Sequence, residues 1–270
     1  MSSLQSDYGF AKLTAVGSGK GGTGKTFVTV TLAHALAHLG EKILLCDADL
    51  GLSNTALHLG LDDGGDIGGV LAGKAPIDKA VVPVFGGIKE RGGFDLLGAP
   101  AGTGALANAG ETGASQLLTT LRFSAQYDRV LLDLGAGVDA MVMRFAAGAD
   151  ENILVMTPDP AALTDAYAFT KLLAHRAAGR KPSILVNMAA GESEARRTAD
   201  ALISVAENFL KLSPDYLGSI PRDAHALAAV RRQMSLLTLY PQCPASQAIE
   251  AIARKISGRG EAKKVSAKSA

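Results

Sequence analysis

Gly19-Lys20-Gly21-Gly22-Thr23-Gly24-Lys25-Thr26 is the stretch on which the reading turns. It satisfies the GxxxxGK[ST] pattern and stands where that pattern has a use. The apolar run Leu13 to Val16 precedes it, and Val28, Leu32, Ala35 and Leu39 mark one helical face after it. Strand, glycine loop and helix together make a phosphate-binding unit. Its glycines let successive backbone N–H groups curl around phosphate oxygens, and the helix N-terminus adds its positive end. The cradle is expected from Gly19, Gly21, Gly22, Thr23 and Gly24, with Lys25 against the β- and γ-phosphates and the Thr26 hydroxyl on Mg²⁺. Gly17, Gly19 and Gly22 also satisfy GxGxxG, the dinucleotide fingerprint, and Asp47 lies near the acid expected about 20 positions on. That fingerprint has no use for Gly24-Lys25-Thr26, so the triphosphate reading is the one adopted.

Outward from the loop, short apolar runs alternate with segments of helical period, the pattern of a doubly wound, mostly parallel α/β sheet flanked by helices. Strands are predicted at Leu13 to Val16, Lys42 to Asp47, Phe94 to Leu97, Arg129 to Asp133, Asn152 to Met156, Ser183 to Asn187 and Tyr216 to Ile220. Several are apolar throughout, as a sheet covered on both faces requires. Helices fit Asp139 to Ala147, Ala161 to Arg176 and Glu192 to Leu210, and Leu117, Leu118 and Leu121 mark another. Between Asp62 and Gly113 the chain is glycine-rich, and loops with short helices are expected there. One domain is read over residues 13–256, between a flexible start at 1–12 and a disordered basic tail at 257–270.

In an open α/β sheet, ligands sit beyond the carboxyl ends of the strands. Asp47 and Asp133 each close an apolar run, which makes both candidates for holding Mg²⁺ or its waters, and Asp49 follows Asp47 in the same loop.

Composition narrows the rest. The chain has 270 residues, enough to bury a large core without a metal or disulfide staple. Its two cysteines, Cys46 and Cys243, have no CxxC or His spacing, which argues against zinc and fits a reducing compartment. No run approaches ~18 consecutive apolar residues, so no spanning helix is expected. Net charge is +1; the segment from Arg254 onward holds six basic residues and one acid, leaving the body at −4. An acidic body argues against wholesale nucleic-acid binding. His34 and His38 stand four apart but lie off the apolar face, and solvent exposure is expected. Arg231 and Arg232 read as a solvated helix face. Cys46, Met141 and Met143 read as packing.

The loop Lys20-Gly-Gly-Thr-Gly-Lys25-Thr resembles the deviant Walker A of the MinD/ParA ATPases, which carries an extra lysine at its second position. Asp47-Ala-Asp49-Leu-Gly-Leu-Ser-Asn54 is similar to the first switch of the MinD-like branch, and Asp133-Leu-Gly-Ala-Gly137 to the second. Thr157-Pro-Asp-Pro with Leu163-Thr-Asp-Ala-Tyr-Ala168 resembles the FlhG subgroup, also called FleN or YlxH, which regulates flagellar number and placement. Val186-Asn187 and Gly218-Ser-Ile-Pro221-Arg-Asp223 match its base-binding segments, whereas residues 1–12 match no FlhG segment.

The resemblance implies a slow Mg²⁺-dependent ATPase that dimerises around ATP. Lys20 would reach the partner's phosphates, Lys25 its own, and Asp49 would orient the attacking water. Thr26 and Asp47 would serve Mg²⁺, Asp133 would sense the γ-phosphate, and Asn54 and Gly137 would belong to the switches. Asn187, Pro221 and Asp223 would face adenine. Implied partners are a second copy of the chain and a protein of the flagellar or cell-pole machinery. The implied address is the cytoplasm, at a pole or in transient contact with a membrane. The alternative reading is a partition ATPase of the ParA kind that binds nucleoid DNA. The FlhG and MinD proteins end in a membrane-targeting helix, but Ile249, Ile252 and Ile256 here read as the stripe of a final core-packing helix. Basic residues beyond it would add weak attraction to anionic lipid.

Overall fold

The computed structural model describes residues 9–49, 54–99 and 105–258. Eight strands are present among them: β1 (Lys12–Ser18), β2 (Ile43–Ala48), β3 (Val82–Val84), β4 (Phe94–Leu97), β5 (Arg129–Ala136), β6 (Glu151–Met156), β7 (Ser183–Ala189) and β8 (Asp215–Pro221). They form one sheet in the order β3-β4-β2-β5-β1-β6-β7-β8. All pairings are parallel except β3 with β4. The seven strands expected from the sequence are the seven parallel ones.

The eighth strand, β3, was not anticipated. It is three residues long with Pro83 at its centre, too short for an alternation signal, and proline is tolerated there because the strand lies at the edge. The helices are α1 (Lys25–His38), α2 (Thr55–His58), α3 (Ile67–Leu71), α4 (Ile77–Ala80), α5 (Ala105–Arg122), α6 (Ala140–Gly148), α7 (Pro160–Arg176), α8 (Glu192–Leu210), α9 (Ala224–Arg231), α10 (Leu236–Leu239) and α11 (Pro244–Ile256). The glycine-rich stretch thus holds α3, α4, β3 and the start of α5, which kinks at Gly110 (φ 60°).

Alternate residues of one strand feed opposite cores. On β2, Leu44 and Cys46 face the core under α3 to α8, whereas Ile43 and Leu45 face the core under α1 and α9 to α11. This two-sided burial is why the strand reads as a continuous apolar run. Helix ends are set by side chains: Asp139 accepts from the amides of Met141 and Val142, and Asp159 from that of Ala161.

Ile249 and Ile252 of α11 are buried in the core beside α1, as a packing helix requires. Among the described residues, no helix is long and apolar enough to cross a membrane. Strand β1 starts at Lys12, and Ala11 before it is buried. Residues 1–8 and 259–270, which include most of the expected tail, lie outside the described residues.

Two local expectations meet different outcomes. His38 is exposed, but His34 is 4% exposed, a correction to the expected solvated pair. Its ring stacks on Phe85 with centroids 4.5 Å apart, and its Nδ1 lies 2.6 Å from Ser235 Oγ. Helix α1 is covered on more than its one obvious apolar face, because α10 and the turn after β3 close over the side that carries His34. Arg231 and Arg232 are exposed, while Cys46 and Met143 are fully buried.

Candidate functional site: a phosphate loop between two aspartates

Strand register brings the acids together. Asp133 pairs with Val16 of β1 on one side and with Asp47 of β2 on the other, so both carboxylates stand beside the loop that leaves β1. That loop needs its glycines for two different reasons. Gly24 begins α1 with φ 79°, and a Cβ there would come 2.5 Å from Asn187 Nδ2. At Gly19, a Cβ would run into the backbone of Asp165 on α7.

Lys25 is 7% exposed and its Nζ lies 2.9 Å from Asp133 Oδ1. Thr29, one turn along α1, donates its hydroxyl to the same oxygen at 2.9 Å. A buried cation is thereby held by a buried carboxylate at the mouth of the phosphate loop. Thr26 is half-buried, with its Oγ1 3.5 Å from Lys25 Nζ. Asp47 accepts from the amide of Asp49 through Oδ1 (3.1 Å) and from that of Thr55 through Oδ2 (3.2 Å). Asn54 is exposed at the start of α2, and Gly137 adopts φ 97° just past β5. The hydroxyls of Thr23 and Thr55 are buried and unpartnered. Orphaned polar atoms of this kind on and beside a glycine loop suit a polyoxyanion and its cation, which supply acceptors and charge where the protein has left donors.

Lys20 is half-exposed and hydrogen-bonded through Nζ to Asp159 Oδ2, in the loop after β6. That bond and the amide of Ala161 hold the Asp159 carboxyl below its usual range. A hollow of about 500 Å³ adjoins this pair, lined by Gly21, Gly22, Thr157 and Arg222 as well.

On the other side of the loop lies a mostly apolar cavity of about 640 Å³, walled by Gly22, Gly24, Phe27, His58, Asn187 and Pro221. Its size and lining suit a flat heterocycle. Asn187 lies at its back, donating to Thr23 O at 2.8 Å and accepting from the amide of Met188. Asp223 borders it while holding the starts of α9 and α11, through the amides of His225 (2.9 Å) and Ala245 (3.1 Å). Burial opposes the ionised form of Asp223, but these amides with the His225 ring and Cys243 outweigh it and bring the carboxyl to about 2.

Sequence reading missed His58 and Phe27 as walls of the cavity, because neither belongs to a spaced motif. It also missed that Cys243 comes within 4.8 Å of ligand atoms of Asp223 and His225. A larger hollow, about 980 Å³, lies at the β3 edge beside Asp95 and Tyr127, and contains none of the site residues. The chemistry belongs to the loop side, where cations, orphaned donors and aspartates converge.

The geometry defines a P-loop nucleotide-binding protein. Residues 14–236 match the CobQ/CobB/MinD/ParA nucleotide binding domain, and the chain belongs to this family, as an ATPase of the MinD/ParA type. Among similar proteins are the antiactivator FleN of Pseudomonas aeruginosa, 33% identical over 91% of this chain and 86% of its own length, and the flagellum site-determining protein YlxH of Helicobacter pylori, 31% identical over 91% and 81%. The septum site-determining protein MinD of Pyrococcus horikoshii, solved with Mg-ADP, superposes with a TM-score of 0.76 at 26% identity, covering 94% of this chain and 98% of that one.

Proposed function

We propose that the chain is an ATP-driven dimerisation switch that sets the number or placement of a polar assembly, the flagellum foremost. The observation that carries the switch is the buried Lys25–Asp133 pair at the phosphate loop. A triphosphate on the loop competes with Asp133 for Lys25, so nucleotide binding and the position of the strand β5 loop are coupled by one charge. The flagellar assignment is supported by the likeness to FleN and YlxH.

In this reading the amides of Gly19, Gly21, Gly22, Thr23 and Gly24 hold the phosphates of ATP. Thr26, with Asp47 and Asp133, would hold Mg²⁺, which would supply positive charge against that developing on the phosphates. Asp49 orients water for attack on the γ-phosphate. Lys20 leaves Asp159 and crosses to the phosphates of a second copy, where it offsets developing charge as an arginine finger does. Asn54 and Gly137 belong to the loops that respond when the γ-phosphate is lost. Asn187, Pro221 and Asp223 shape the adenine pocket.

The test is the mass in solution, by light scattering, of the wild type and Asp49→Ala with Mg-ADP and with Mg-ATP. Dimers with ATP, transient in the wild type and persistent in the variant, are expected. A mass that ignores the nucleotide would overturn the switch. Adding duplex DNA or anionic vesicles to the trapped dimer separates partner classes, and DNA binding that weakens steeply with salt would favour a ParA-like role.

A further inference from the structure

One short helix connects the two halves of the site. At its start, Thr55 donates its amide to Asp47 Oδ2, and at its end His58 lines the 640 Å³ cavity beside Phe27, Gly24 and Asn187. The ring of His58 is half-buried, and among the described residues it has no hydrogen-bond partner. Burial lowers its basicity; nearby Asp133 pulls the other way and Lys25 adds to the lowering. Near neutral pH the ring is therefore uncharged, with one nitrogen to donate and one to accept.

Such a group is suited to a polar edge of a nucleoside rather than to phosphate, for which the loop already supplies amides and Lys25. Phe27, Ile220, Pro221 and Leu227 give the cavity an apolar wall, beside Asn187, Arg222 and Asp223, and that wall suits the flat face of a base.

We propose that His58 hydrogen-bonds the nucleoside part of the bound adenine nucleotide, and that α2 ties this contact to Asp47. The first switch is then anchored from the base side as well as from the phosphate side. This rests on the cavity being the nucleotide's site. Helix α2 is a single turn, so its place depends on what its two ends hold. An occupied cavity fixes His58, and Thr55 carries that order to the carboxylate beside the phosphate loop.

The experiment titrates the full chain with Mg-ADP by calorimetry and follows the imidazole resonances of the wild type by NMR during the same titration. His58→Ala is expected to weaken ADP by about fivefold, the worth of one net hydrogen bond. His58→Gln, which keeps a donor and an acceptor, is expected to recover most of that loss. The ring resonances of His58, assigned by their absence in His58→Ala, should shift on ADP addition. Equal affinity of wild type and His58→Ala, or a His58 resonance unmoved by saturating ADP, would overturn the proposal while leaving the nucleotide site intact. A wild type that binds no ADP would remove the nucleotide reading itself, and this contact with it.

Discussion

Lys25 shows how one residue serves two ends. Its Nζ is buried against Asp133, and the two charges stand 2.9 Å apart with Thr29 satisfying the same carboxylate oxygen. Removing one member of such a pair leaves the other charge buried without its counter-ion. Lys25→Ala is therefore expected to abolish nucleotide binding and also to lower stability by about 3–5 kcal/mol, read from urea denaturation in the absence of nucleotide. Loss of binding with unchanged stability would mean that Lys25 contributes nothing to the fold. Lys25 stood out in the sequence because GxxxxGK[ST] is a local pattern. Its partner was legible only as an aspartate closing an apolar run, since the Lys25–Asp133 contact spans 108 positions. His58 was not legible at all: a lone histidine on a four-residue helix carries no spacing, and only the fold brings it to the loop.

At the scale of elements, the parallel strands were readable because burial on both faces leaves them continuously apolar. Strand β3 and helix α10 are too short to show a period. Helix α1 was recognised, but the extent of its covering was not, and His34 is the consequence. Burial first, and then the charge of His38, lowers the His34 pKa to about 4, against an ordinary value of 6.5. A lowered histidine pKa means that the unfolded chain takes up the proton before the folded one does. Stability is thus full above about pH 6.5 and falls as pH drops toward 4. Between pH 7 and 5 the loss due to this group is on the order of 2 kcal/mol. The difference in urea midpoint between those two pH values should shrink in His34→Leu. An unchanged difference would show that His34 is not the group that titrates.

For the whole molecule, the consequence of the fold is that loops from β1, β2, β5, β6, β7 and β8 meet at one end of the sheet. Lys20 from the first of these is held by Asp159 from the fourth within a single chain. If Lys20 is to serve a second subunit, that bond must be exchanged. Asp159→Ala is therefore expected to lower the ATP concentration at which dimers form, measured by light scattering across an ATP titration. A higher requirement would assign Asp159 a direct part in the dimer. The sequence by itself determined the α/β class, the phosphate loop, the acids toward the carboxyl ends of β2 and β5, and the family, because each is written in local spacing or in apolar runs that burial imposes. The tertiary structure alone decided which atoms meet: Lys25 with Asp133, Lys20 with Asp159, Asn187 behind Gly24, and His58 on the cavity wall. Those contacts join strands and loops far apart in the chain, and only the order and register of the sheet bring them within bonding distance.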